Sequence, residues 1–195
     1  TVMTFAPPKV GKSMMVQDQC AHWAMGMDWL GMSPSRPLKI AFINFEMKRD
    51  AIRQRAQKVL NHDDIDEDKL ELLDKNLFIT DRFSDTLNVE FVHKVKNTLA
   101  NVSANFSPDL LVVDPIVNIM EGSENSNEEA MDFIESLRTL AERLDPRCAL
   151  YLVHHASKMP RDERKAEPFQ ALRGASSLRG AYDTGIALTK SGRDS

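Results

Sequence analysis

Eight residues constrain this chain more than any others: Ala6-Pro7-Pro8-Lys9-Val10-Gly11-Lys12-Ser13. Their spacing is that of a phosphate-cradling P-loop, with alanine where the first glycine is usual. Val2-Met3-Thr4-Phe5 before them is an apolar, β-branched run suited to a buried strand. Met14 to Met27 after them reads as a helix, with apolar positions at Met14, Met15, Ala21, Trp23, Ala24 and Met27. A strand, a tight loop and a helix in that order aim backbone N–H groups and a helix N-terminus at one anion.

The residue types divide the work. Pro7 and Pro8 carry no N–H, so donors to phosphate oxygens must come from Lys9, Val10, Gly11, Lys12 and Ser13. Gly11 lets the backbone approach the phosphates closely. Lys12 is expected to reach the β and γ oxygens, and the Ser13 hydroxyl to hold a magnesium ion. The alanine at position 6 lies upstream of these donors and leaves the mechanism intact.

A chain of 195 residues suits one domain with a sizeable core, and 42% hydrophobic with 28% charged residues is ordinary for a soluble globular protein. No apolar run approaches the ~18 to 20 residues that span a bilayer, and no leader pattern opens the chain. It starts at Thr1 directly on a core strand, so a missing upstream segment is expected. Two cysteines, Cys20 and Cys148, build no disulfide or ligand framework and fit the reducing cytoplasm. Asn101-Val102-Ser103 is a formal glycosylation acceptor with nothing else to support secretion. A net charge of -4 means that any nucleic-acid contact must come from a local patch or from loops pooled by several subunits.

Along the chain, Gly31 to Pro37 reads as a loop, and Leu38 to Phe45 as a second strand, apolar on both faces as a central parallel strand is. Glu46 follows at the carboxyl end, the edge where open α/β sheets bind ligands, which places it beside the loop at Ala6 to Ser13. A helix over Arg49 to Leu60 leads to an acidic stretch, Asn61 to Asp68, read as a solvated linker. Leu77 to Thr80 makes a third strand, and Val89 to Val102 has the helical period. Leu110-Leu111-Val112-Val113 then runs into Asp114, the way a strand delivers a magnesium-associated carboxylate. Gly122 to Asn127 is a polar loop, with Ser126 or Asn127 capping a helix that reaches Leu144. Ala149 to Val153 is a strand that delivers His154 and His155. The basic loop Met159 to Gln170, a short helix near 174 to 181 and a strand from Thr184 to Thr189 close the chain. The order predicts an α/β fold, a mainly parallel sheet flanked by helices on both faces, with no internal repeat.

Taken together these pieces resemble the RecA-like P-loop ATPase core, and within it the hexameric replicative helicases of the plasmid RepA and DnaB type. The resemblance rests on the loop at Ala6 to Ser13, Asn44-Phe45-Glu46-Met47, Asp109 to Pro115, Val153-His154-His155-Ala156-Ser157-Lys158 and Leu172-Arg173-Gly174-Ala175-Ser176-Ser177. It implies ATP and Mg2+ as ligands, with Lys9, Val10, Gly11, Lys12, Ser13, Met14 and Asp114 binding nucleotide, and Ser13 and Asp114 holding the metal. Glu46 would orient water, and His154 or His155 would sense the γ-phosphate. Lys190 and Arg193, or more weakly Arg173, would be offered to a neighbouring subunit's site. Lys158, Arg161, Arg164 and Lys165 would track single-stranded DNA in the pore of a ring of identical chains, six in number by the family resemblance. The same fold also serves recombinases and DNA-repair ATPases that form filaments, and nucleotide-switched assembly modules with slow hydrolysis. A small-molecule kinase fits less well, since no arginine-rich lid segment is visible.

Overall fold

The computed structural model describes residues 1–60, 65–83, 89–102, 106–118, 127–156, 178 and 180–189. The elements are β1 (Val2–Ala6), α1 (Lys12–Ala24), β2 (Ile40–Asn44), α2 (Arg49–Leu60), α3 (Glu67–Asn76), β3 (Leu77–Ile79), α4 (Val89–Val102), β4 (Leu110–Asp114), α5 (Asn127–Leu144), β5 (Ala149–His155) and β6 (Thr184–Ala187). The strands form one sheet in the order β3-β2-β4-β5-β1-β6, with every neighbouring pair parallel. The predicted parallel α/β sheet flanked by helices is the observed one.

Alternation along the strands sorts the core into two layers. Met3, Phe5, Ala41, Ile43, Leu111, Val113, Leu150 and Leu152 pack with Phe91, Val95 and Leu99 of α4 and with Phe133, Ile134 and Leu137 of α5. Ile40, Phe42, Leu110, Val112, Tyr151 and Val153 face the other way, onto Val16, Cys20 and Ala24 of α1. Each fully buried Leu, Ile or Phe in these layers contributes about 1.5–3 kcal/mol, which is why β2 and β4 are buried at every position.

Several boundaries differ from the sequence reading. Helix α1 starts two residues earlier, at Lys12, and stops at Ala24 rather than Met27. Gly26 takes a left-handed φ of 74° and turns the chain, with its N–H donating to Trp23 O at 3.1 Å. The acidic stretch expected to be a linker through Asp68 instead opens α3. Asp66 caps it, its carboxylate accepting from Lys69 N at 2.9 Å. Leu73 and Leu77 then pack toward α1, and Asn76 Nδ2 donates to Ala24 O at 3.0 Å, so a short apolar stripe overrides the local charge. Strand β5 runs on through both histidines, because His154 and His155 pair in register with Phe5 and Ala6. Strand β6 stops at Ala187, short of Thr189. Asn127 lies within α5; the loop before it and most of the helix expected near 174 to 181 lie outside the described residues.

Candidate nucleotide site

The site begins where β1 ends. Lys9 and Gly11 both take left-handed conformations, φ 63° and 96°, so successive N–H groups of the loop turn toward one concavity. A Cβ added at Gly11 would meet nothing within 4 Å, so it is the backbone angle that requires glycine there. Gly11 caps α1 with no side-chain hydrogen bond, which leaves the first-turn N–H groups for a ligand. Lys12, the first residue of the helix, is buried, while Lys9, Gly11 and Met14 are exposed and Val10 and Ser13 are partly so.

The strand order fixes what faces this loop. β5 lies between β1 and β4, so the two histidines stand between the loop and Asp114 along the carboxyl edge. The alternation then separates them. His155 shares the α1 face with Tyr151 and Val153, and His154 the opposite face with Leu150 and Leu152. His154 is fully buried, and His155 is partly exposed beside Ala6.

Asp114 falls on the α1 face too, and the Ser13 hydroxyl donates to its Oδ1 at 3.1 Å. Burial pushes the Asp114 carboxyl up to about 6; Glu46 pushes in the same direction, while the Ser13 hydrogen bond, Lys12 and Arg55 pull it down. A hydroxyl and a carboxylate converging in this way form an oxygen donor set that suits Mg2+ with water completing its shell. No cluster of three His, Cys, Asp or Glu residues that could hold a metal occurs among the described residues.

Glu46 comes to the site through Asp114, to which the loop residue Ser13 is hydrogen-bonded. β2 is separated from β1 by β4 and β5, and Glu46 acts on Asp114, the carboxylate that Ser13 and Lys12 of the loop also reach. The turn carrying it is built by Asn44, whose Oδ1 accepts from Glu46 N at 3.2 Å and Met47 N at 2.8 Å while its Nδ2 donates to Met47 O at 2.7 Å. Phe45 N donates to Asp114 O at 2.9 Å, and Gln17 Nε2 of α1 donates to Met47 Sδ at 3.5 Å. Phe45 packs against Phe83 and Phe91 with centroids 6.1 and 5.8 Å away. The exposed Glu46 carboxylate thus stands on a turn anchored from three sides.

A family model described as an AAA domain matches residues 1–161. The chain belongs to this AAA domain family. No curated protein matches it. Among solved structures, the AAA domain is similar to a KaiC-like protein from Pyrococcus horikoshii, at 18% identity and a TM-score of 0.48, over 80% of this chain and 60% of that one. Family membership makes it an ATPase-type P-loop domain, in line with the phosphate-binding loop read from the sequence.

Within this AAA domain the structure brings together Lys9, Val10, Gly11, Lys12, Ser13, Met14, Asp114, Glu46 and His155 along one edge. Lys158, Arg161, Arg164, Lys165, Arg173, Lys190 and Arg193 lie outside the described residues. No helix among the described residues is long and apolar enough to cross a membrane. Two roles are not read from the sequence. Asn44 belongs to a stretch that carries the resemblance, but its job of building the turn is not read there, although an Asn two residues before a candidate base is a turn-building signal. Arg55 of α2 reaches back toward Asp114, and its Nη1 is buried without a hydrogen-bond partner among the described residues. Its place one helix beyond Glu46 gave no sequence cue.

Proposed function

We propose that this chain is the Mg2+-dependent ATP-hydrolysing core of a ring-shaped DNA helicase or translocase acting in DNA replication. The observation that carries the hydrolytic part is the Ser13 to Asp114 hydrogen bond, which joins the phosphate loop to the acidic strand end. In this reading the loop N–H groups and the Lys12 ammonium hold the β and γ phosphates. Ser13 and Asp114 hold Mg2+, which when bound neutralises charge on the phosphate oxygens. Glu46 accepts a proton from water as the water oxygen bonds to the γ phosphorus and the bond to the β,γ-bridging oxygen breaks. His155, on the face shared with Asp114, is better placed than His154 to register loss of the γ-phosphate.

The DNA part rests on the resemblance carried by Val153 to Lys158 and Leu172 to Ser177. Lys158, Arg161, Arg164 and Lys165 contact the backbone of single-stranded DNA, and Lys190 and Arg193 complete the neighbouring chain's site. The test is ATP turnover over a range of protein concentrations with and without a single-stranded oligonucleotide. Turnover that climbs with concentration, rises again with DNA and is abolished by Lys12→Ala is expected. Turnover indifferent to both variables contradicts the helicase reading.

A further inference from the structure

A phosphate chain anchored on this loop has two ends. In the proposed reading its γ end faces Asp114 and Glu46 along the sheet edge, which leaves the other flank of α1 for the nucleoside. There the structure holds a cleft of about 630 Å³, which opens at Val10, Gly11 and Met14 and runs along the helix past Asp18 to Trp29. That volume falls in the range of small-molecule sites. Val10, Met14 and Leu188 give it apolar walls.

Asp18 lies one helical turn below Met14 on the same stripe, about 6 Å along the axis, a span that a sugar attached to the α-phosphate covers. Its carboxylate is held in place by Trp29, whose Nε1 donates to Oδ2 at 2.8 Å, while His22 Nδ1 bonds the Asp18 backbone oxygen at 2.8 Å. Trp29 is itself buried and fixed, since the turn from Trp29 to Met32 closes on its own backbone hydrogen bonds and Asp28 accepts from Gly31 N at 2.8 Å. A carboxylate locked by an indole at the side of an apolar cleft accepts hydrogen bonds and offers none.

We propose that this cleft is the nucleoside site and that Asp18 accepts hydrogen bonds from the ribose hydroxyls, making the protein selective for ribonucleotides. The assignment rests on the reading of the loop as an ATP site. Asp18 is a specificity residue and takes no part in the bond-breaking step.

The test is equilibrium binding of ATP, 2′,3′-dideoxy-ATP and inorganic tripolyphosphate, each with Mg2+, to the wild-type chain and to Asp18→Asn, Asp18→Ala and Lys12→Ala. The wild type is expected to bind ATP about tenfold or more tightly than the dideoxy nucleotide, the size of hydrogen bonds to a charged acceptor. In Asp18→Ala that ratio falls to about one with tripolyphosphate affinity unchanged. Asp18→Asn, which keeps an acceptor for Trp29, is expected to fall between. Equal binding of ATP and dideoxy-ATP by the wild type overturns the proposal without any variant having to fold, and so does a wild-type ratio in both Asp18 variants. If Lys12→Ala loses ATP and tripolyphosphate while the wild type ignores the ribose, only the ribose assignment falls. If Lys12→Ala binds both ligands as the wild type does, the phosphate site itself is refuted.

Discussion

Ser13 and Asp114 stand 101 positions apart in the chain, and a 3.1 Å hydrogen bond joins them. Asp114 is held there at a cost, because burial raises its carboxyl from 3.8 to about 6. Between about pH 4 and 6 the folded protein therefore binds more protons than the unfolded one, and stability without metal falls as pH rises through that window. Asp114→Asn mimics the protonated form. Its melting temperature is expected to exceed the wild type's above pH 6, by an amount worth on the order of 3 kcal/mol, and the gap to close below about pH 4. A gap that is the same at pH 4 and pH 8 would show that burial of the charge is not the cause.

The turn that carries Glu46 depends on one fully buried side chain. Asn44 makes three side-chain hydrogen bonds to the turn's backbone. Asn44→Ala strands those groups and is expected to destabilise the fold by about 2–3 kcal/mol. Because it frees the turn and leaves the phosphate loop intact, ATP affinity is expected to hold while kcat falls about tenfold. Calorimetry together with steady-state kinetics separates the two effects, and an unchanged kcat would show that Glu46 does not need the turn.

Arg55 of α2 lowers the Asp114 carboxyl through its charge. Arg55→Met removes that cation and lets the carboxyl rise further. Metal binding needs the carboxylate, so the acidic limb of the pH profile of turnover is expected to move to higher pH. A limb that stays where the wild type has it would place Arg55 outside the electrostatics of the site.

Much of this was legible in the sequence where one physical signal dominated. The helix at Val89–Val102 came out of a 3.6-residue period, and the strand ending at Asp114 out of an unbroken apolar run. Helix α3 did not, because the acids from Asp63 to Asp68 masked an N-cap and a stripe of only a few leucines. The neighbours of Glu46 were hidden for a different reason. Strand order decides that β2 carries Glu46 next to Asp114, and order in a parallel sheet is set by crossovers that local patterns do not encode. The same alternation that a sequence displays along β5 separated His154 from His155 only once the packing of α1 showed which face was which.

Glu46→Gln tests whether Glu46 drives hydrolysis at the site proposed for Lys12, Ser13 and Asp114. ATP affinity and single-turnover hydrolysis should be measured side by side in this variant and the wild type. Affinity is expected to stay within about twofold and hydrolysis to slow by about 100-fold or more, the contribution of a positioned general base. Hydrolysis at the wild-type rate in a variant that binds ATP normally would contradict it.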